Sequence, residues 1–116
     1  MQLQAHPPSA HIQVSNPRGI HILVEKGIDS GIRDLIETPL DGLQSIVVKS
    51  NYPMFVSEIF DQNLIDAFND LGVFSYVVSE DITIRFASEN PKDVEKFLHV
   101  GSLLAQGLET LNYAYG

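Results

Sequence analysis

Apolar and polar residues alternate at two different periods along this chain, and the changes of period divide it into elements. Ile12 and Val14 alternate with polar neighbours over residues 11–15, and Ile20, Ile22 and Val24 recur at every second position over 20–25, so both stretches read as strands. Asn16-Pro17-Arg18-Gly19 between them places Asn, Pro and Gly where a reverse turn uses them, which predicts a hairpin. Ile28, Ile32, Leu35 and Ile36 share a helical face, Asp29 or Ser30 can cap it, and Thr38-Pro39 ends it, so a short helix is expected there. Ile46-Val47-Val48 is an unbroken β-branched run, the pattern of a central strand covered on both faces.

Beyond that run the period lengthens. Pro53 can open a helical segment, and Phe60, Leu64, Ala67, Phe68 and Leu71 repeat at helical spacing up to Gly72. Residues 73–78 and 82–87 alternate again, and only Ser79-Glu80-Asp81 separates them, which predicts a second hairpin. Asn90-Pro91 then starts a helix to about Asn112, because Asn accepts from free backbone amides and Pro gives up no hydrogen bond at the first helical position. Its main stripe is Val94, Phe97, Leu98, Gly101, Leu104, Ala105, Leu108 and Leu111. The fold class that follows is α+β: one mixed or mainly antiparallel sheet of about five strands, covered by three helices in two layers. Ile46, Val48, Phe68, Val94, Phe97, Leu98, Leu104 and Leu108 are the expected core.

The 116 residues fit a single domain over residues 10–116, preceded by a flexible tail at 1–9. With no cysteine there is no disulfide framework, thiolate metal site or thiol catalysis, and the cytoplasm is the expected compartment. Met1 to Ser9 lacks a basic segment and does not read as a secretory signal, and no apolar run reaches the length of a membrane span. Seven Lys and Arg against fifteen Asp and Glu give a formal charge of −8, which opposes binding to nucleic acids and to anionic membranes. The deficit of cations is local: no Lys or Arg occurs from Ser50 through Ile84.

Strong catalytic signatures are missing, with no phosphate-binding glycine loop, zinc-ligand spacing or nucleophile elbow, so neither a metal nor a cofactor is expected. Of the histidines His6, His11, His21 and His99, none stands three or four positions from another. Glu58, Asp61, Asp66 and Asp70 form a candidate docking surface for a basic protein partner, against the alternative of a plain solvated face. Val100, Leu103, Gly107 and Ala114 widen the apolar arc of the last helix beyond one stripe. They are candidates for self-association as a homodimer, or else pack under the expected helix at Ile28 to Glu37.

Two short stretches carry resemblances. Gly19-Ile20-His21 after a first strand resembles the phosphorylatable histidine loop of the phosphocarrier proteins of sugar phosphotransferase systems, although Ile22, Leu23 and Val24 stand where that family has an arginine and a proline. Residues 46–78, with Phe55-Val56-Ser57, are similar to the core of STAS (anti-sigma-factor-antagonist-like) domains, without that family's Asp-Ser-Ser/Thr-Gly pattern or its helix before the last strand. The resemblances imply a phosphoacceptor at His21 or Ser57. The residues themselves favour a regulatory or protein-interaction domain without catalysis.

Overall fold

The apolar stretches of the chain assemble around one antiparallel sheet. The computed structural model describes residues 9–87 and 90–115. In chain order its elements are β1 (Ser9–Gln13), β2 (Ile22–Lys26), β3 (Ile36–Glu37), β4 (Val47–Ser50), α1 (Pro53–Ile59), α2 (Gln62–Asn69), β5 (Phe74–Val78), β6 (Asp81–Phe86) and α3 (Pro91–Tyr115). The strands lie in the order β1-β6-β5-β2-β4-β3, every pairing antiparallel, and the helices form a second layer on one face. The α+β two-layer class is therefore as expected, with six strands rather than about five. Of the tail expected at residues 1–9, all but Ser9 lies outside the described residues, and Ser9 itself begins β1.

The hairpin at β5–β6 forms where the alternation places it, with Val78 opposite Ile82 and Phe74 opposite Phe86. The first hairpin does not form. The turn at Asn16–Gly19 closes, with the Gly19 amide donating to the Asn16 carbonyl at 3.1 Å, yet β1 and β2 are separated by β6 and β5. Asn16 holds this wide crossing: its side-chain amide donates to the Ile20 and Ser79 carbonyls at 2.8 Å each, tying the crossing to the β5–β6 turn. The reason for the separation is burial. Ile22, Leu23 and Val24 are all fully buried, so β2 is apolar on both faces and belongs in the sheet's middle, whereas β1 alternates and suits an edge.

By the same criterion β4 is not the central strand. Val48 is buried against the helices, but Val47 is exposed and Ile46 half-buried, and β4 has only the two-residue β3 beyond it. No helix forms at Ile28 to Glu37. Gly27 and Gly31 take positive φ of 81° and 84°, and the Asp29 carboxylate and Ser30 hydroxyl accept from the amides two residues ahead, at Gly31 and Ile32. Those side chains cap successive tight turns, which compete with a helix for the same amides. The segment instead crosses the face of the sheet opposite the helices and ends in β3.

Residues 53–71 make two helices because the chain breaks at Phe60-Asp61, where the Asp61 carboxylate caps α2 by accepting from the Leu64 amide at 2.9 Å. Phe60 folds back to stack on Phe68, with ring centroids 5.6 Å apart, and Phe68 meets Tyr76 edge-on at 5.1 Å. At the start of α3 the Asn90 side chain accepts from the Lys92 amide at 3.0 Å, as Asn90-Pro91 predicts.

Two contacts set how α3 lies on the sheet. The buried Tyr76 hydroxyl donates to the Phe97 carbonyl at 2.6 Å. One turn on, an added Cβ at Gly101 would stand only 2.6 Å and 2.7 Å from the side-chain ends of Ile12 and Ile84, so the glycine is the point of closest approach. This rotation buries Phe97, Val100, Leu104, Ala105, Leu108 and Leu111. It leaves Leu98 outside the core at 37 % exposure and Val94 half-buried, which corrects both as expected core members, while Val48, Phe68, Phe97, Leu104 and Leu108 are buried as expected. Leu104→Ala should cost roughly 2 to 5 kcal/mol, as large-to-small changes in packed cores do. Leu98→Ala should cost well under about 1 kcal/mol in the same urea titration, and equal losses would place α3 in another rotation.

Burial pushes the Tyr76 hydroxyl well above the ordinary tyrosine range. The folded protein then keeps this phenol neutral at a pH where the unfolded chain has lost the proton. Its contribution is intact below about pH 10 and falls as pH rises beyond it, by up to about 1.4 kcal/mol per pH unit. Urea titrations from about pH 8 to about pH 11 should show a steeper loss for the wild type than for Tyr76→Phe. Identical slopes would mean that Tyr76 ionises as a solvated phenol.

Candidate functional site

Both α1 and α2 pack on α3, and between their junction and α3 lies a groove of about 490 Å³. Ile59 and Leu64 line one side, and Leu103, Gly107, Leu111 and Ala114 line the other. Gly107 sits here because α1 crosses α3 closely, so that a Cβ on it would stand 3.1 Å from Ile59 Cγ2. Glu58 and Asp61 form the groove's charged rim, and no Lys or Arg lines it. The groove therefore joins part of the acidic set to part of the apolar set that the sequence singles out separately.

The rest of each set lies elsewhere. Asp66 is exposed on α2 and accepts from the Gln62 side chain at 2.7 Å, while Asp70 ends α2 and faces Lys96 at 3.6 Å. The four exposed carboxylates are thus distributed over two helices, Glu58 on α1, Asp66 on α2, and Asp61 and Asp70 at the two ends of α2. Val100 is 3 % exposed and part of the domain's own core, so it is no surface for self-association. Leu103 and Gly107 are half-buried in the groove, and Ala114 is exposed at its end. The expected alternative, packing of this arc under a helix at Ile28 to Glu37, does not occur because that segment is on the other side of the sheet. Ile59, Leu64, Gln106 and Thr110 also line the groove. For Ile59 and Leu64 the signal was the Asp at position 61, which caps a new helix between them.

His21 is exposed just ahead of β2, its amide donating to the Asn51 side chain at 2.7 Å. The hollow beside it is lined by Ile32, Asp34, Leu35 and Asn51, with no Lys or Arg. Ser57 is exposed on α1, and its hydroxyl donates to the Met54 carbonyl at 3.0 Å. His11 contacts Asp81 at 3.5 Å and Thr83 at 3.3 Å, whereas His6 lies outside the described residues. Among the described residues no three His, Asp or Glu side chains converge as metal ligands would, and no helix is long and apolar enough to cross a membrane.

Comparison with protein-family models, with curated proteins and with solved structures finds no match to this chain. The site therefore rests on its own geometry. Because Asp61 is both rim and cap, Asp61→Ala should destabilise the domain by about 1 kcal/mol, and Asp66→Ala by no more than about 0.5 kcal/mol. Thermal denaturation of the two variants checks this, and an Asp61→Ala protein as stable as wild type would show that the cap contributes nothing.

Proposed function

We propose that this chain is a small acidic protein-interaction domain without catalytic activity, which takes a basic amphipathic helix of a partner protein into the groove between α1–α2 and α3. The carrying observation is an apolar floor with an acidic rim. Leu103, Gly107 and Ala114 present the accessible apolar surface that the apolar face of a helix needs, with Ile59, Leu64 and Leu111 buried beneath it in the domain's own core, and Gly107 and Ala114, two helical turns apart, let a partner's backbone come near. Glu58 and Asp61 favour Lys or Arg beside that apolar face and disfavour acidic competitors. A cysteine-free domain of this kind suits the reducing cytoplasm.

Homodimer formation through the same groove is the weaker reading. A two-fold contact sets each patch against its own copy, so Glu58 and Asp61 would face their equivalents across the interface in a chain whose charge is already −8. The phosphoacceptor reading has less support still. No cation lines the hollow at His21, and Asp34 there would repel a phosphoryl group.

A synthetic helix with leucines at i, i+3, i+4 and i+7 and lysines on its flanks should bind with roughly micromolar affinity, more weakly as salt rises. The same helix with glutamate flanks should bind at least about tenfold more weakly, and Leu103→Asp should abolish capture of the basic one. Indifference to the sign of the flanks would sink the proposal. A dimer in sedimentation equilibrium that dissociates on Leu103→Asp would replace it with self-association.

A further inference from the structure

The face of the sheet opposite the helices holds a second, unrelated cavity. The strand register places Glu25, Ser75 and Arg85 in one cross-strand row, and Leu23, Val77 and Thr83 in the next. Above them Ser30 and Ile32, from the segment that crosses this face, border a half-open cavity of about 190 Å³ whose other lining residues are Ser75, Val77, Thr83 and Arg85.

Its polar groups are only partly satisfied. Ser75 is 1 % exposed, yet its hydroxyl has no hydrogen-bond partner among the described residues. Its hydroxyl is left unsatisfied, and the cavity it borders is the side from which a partner can come. The side chain of Arg85 makes no hydrogen bond or ion pair among the described residues, and the residue is exposed and borders the cavity with a guanidinium that has five donors. Thr83 Oγ1 lies 3.3 Å from His11 Nδ1 and retains capacity for a further bond. Glu25, opposite Ser75 in the same row, has its carboxylate engaged by the Ser30 amide.

We propose that this cavity binds a short-chain monocarboxylate. Its carboxylate meets the Arg85 guanidinium and the Ser75 and Thr83 hydroxyls, and its alkyl end lies against Ile32 and Val77. At about 30 Å³ per water the space equals roughly six waters, enough for an acid of a few carbons and too small for a nucleotide. A single negative charge is favoured over a phosphate dianion because Glu25 sits beside Ser75 in the same row and Asp81 faces His11. The site shares no residue with the helix-binding groove, so either can fail without the other.

Propionate titrated into the full chain, followed by amide chemical shifts, tests the proposal, with the neutral amide propionamide and inorganic phosphate as controls. Propionate at concentrations on the order of 10 mM should move the amides of Ser75, Thr83 and Arg85 and raise the melting temperature. Propionamide and phosphate should bind distinctly more weakly. Arg85→Gln, at an exposed position, should weaken propionate roughly tenfold or more, and Ser75→Ala several-fold while the fold is kept. Absence of shifts in the wild type would overturn the site. So would propionate affinity indifferent to Arg85→Gln, with Ser75→Ala only more stable than wild type, since Ser75 would then be a buried hydroxyl and nothing more. Phosphate binding more tightly than propionate would overturn the ligand class.

Discussion

A phenol buried beneath a helix needs an acceptor, and in this domain the requirement sets the relation between the two layers. Tyr76 is fully buried on the central strand β5, and the carbonyl its hydroxyl meets is that of Phe97 on α3. With that point held, Gly101 one turn later is the only kind of residue that lets α3 rest on Ile12 and Ile84 without displacing them. Height and rotation of α3 follow together. Phe97 stacks on Phe86 with centroids 4.7 Å apart, Val100 and Leu104 enter the core, and Leu103 and Gln106 are left on the flank where α1 and α2 arrive. The groove is thus what remains when a helix fixed from below meets two short helices that bend at Asp61.

Among the described residues no helix covers the opposite face, and the sheet solves this with backbone turns. Leu23 points away from the helices and is still fully buried, which requires cover from residues 28–35. A segment built from Gly27, Gly31 and side chains that satisfy their own amides can lie on a sheet without regular structure, because its backbone donors are occupied locally. Such cover is thinner than a helix. It closes over Leu23 and leaves Ser75, Thr83 and Arg85 around a space, so an imperfectly covered face becomes the one place among the described residues where a buried side-chain hydroxyl lacks a partner.

What could be read from the chain and what could not divides along local and non-local causes. The β5–β6 hairpin, the start of α3 at Asn90-Pro91 and most of the stripe on α3 depend on neighbours within a few residues, and the sequence shows them. Strand order does not. Asn16–Gly19 has the residues of a turn and forms one, but whether β2 returns beside β1 or crosses two strands depends on which strand is apolar on both faces, and Ile22-Leu23-Val24 outcompetes Ile46-Val47-Val48 for the centre. The shared apolar spacing of Ile28, Ile32, Leu35 and Ile36 misled because Gly27 and Gly31 favour left-handed turns, a local signal that outweighs the period. Of the candidate site, Glu58, Asp61, Leu103, Gly107 and Ala114 were legible as types of residue. That two of them are acids from α1–α2 facing three small or apolar residues of α3 is a product of the packing. Val100 shows the cost of reading an arc without knowing its rotation, since it belongs to the core.

The distribution of charge gives the groove a meaning that packing alone does not. Three carboxylates away from the groove face a cation or an amide donor: Asp29 with Arg33, held below the usual carboxylate range by that guanidinium, Asp70 with Lys96, and Glu109 with the Ser15 amide. The seven cations are few enough that their placement matters, and none is in the stretch that builds α1, α2 and β5. A Lys on the rim would relieve local repulsion at little structural cost, since the rim is exposed and tolerates charged residues of either sign. Its absence leaves an apolar trough under a one-signed field, where field lines from Glu58 and Asp61 spread over a low-dielectric floor and act further than they would on open surface. Apart from the Asp61 cap, the charge of the rim adds nothing evident to the domain's own stability. It acts on whatever approaches, and it discriminates by sign before shape is tested at all.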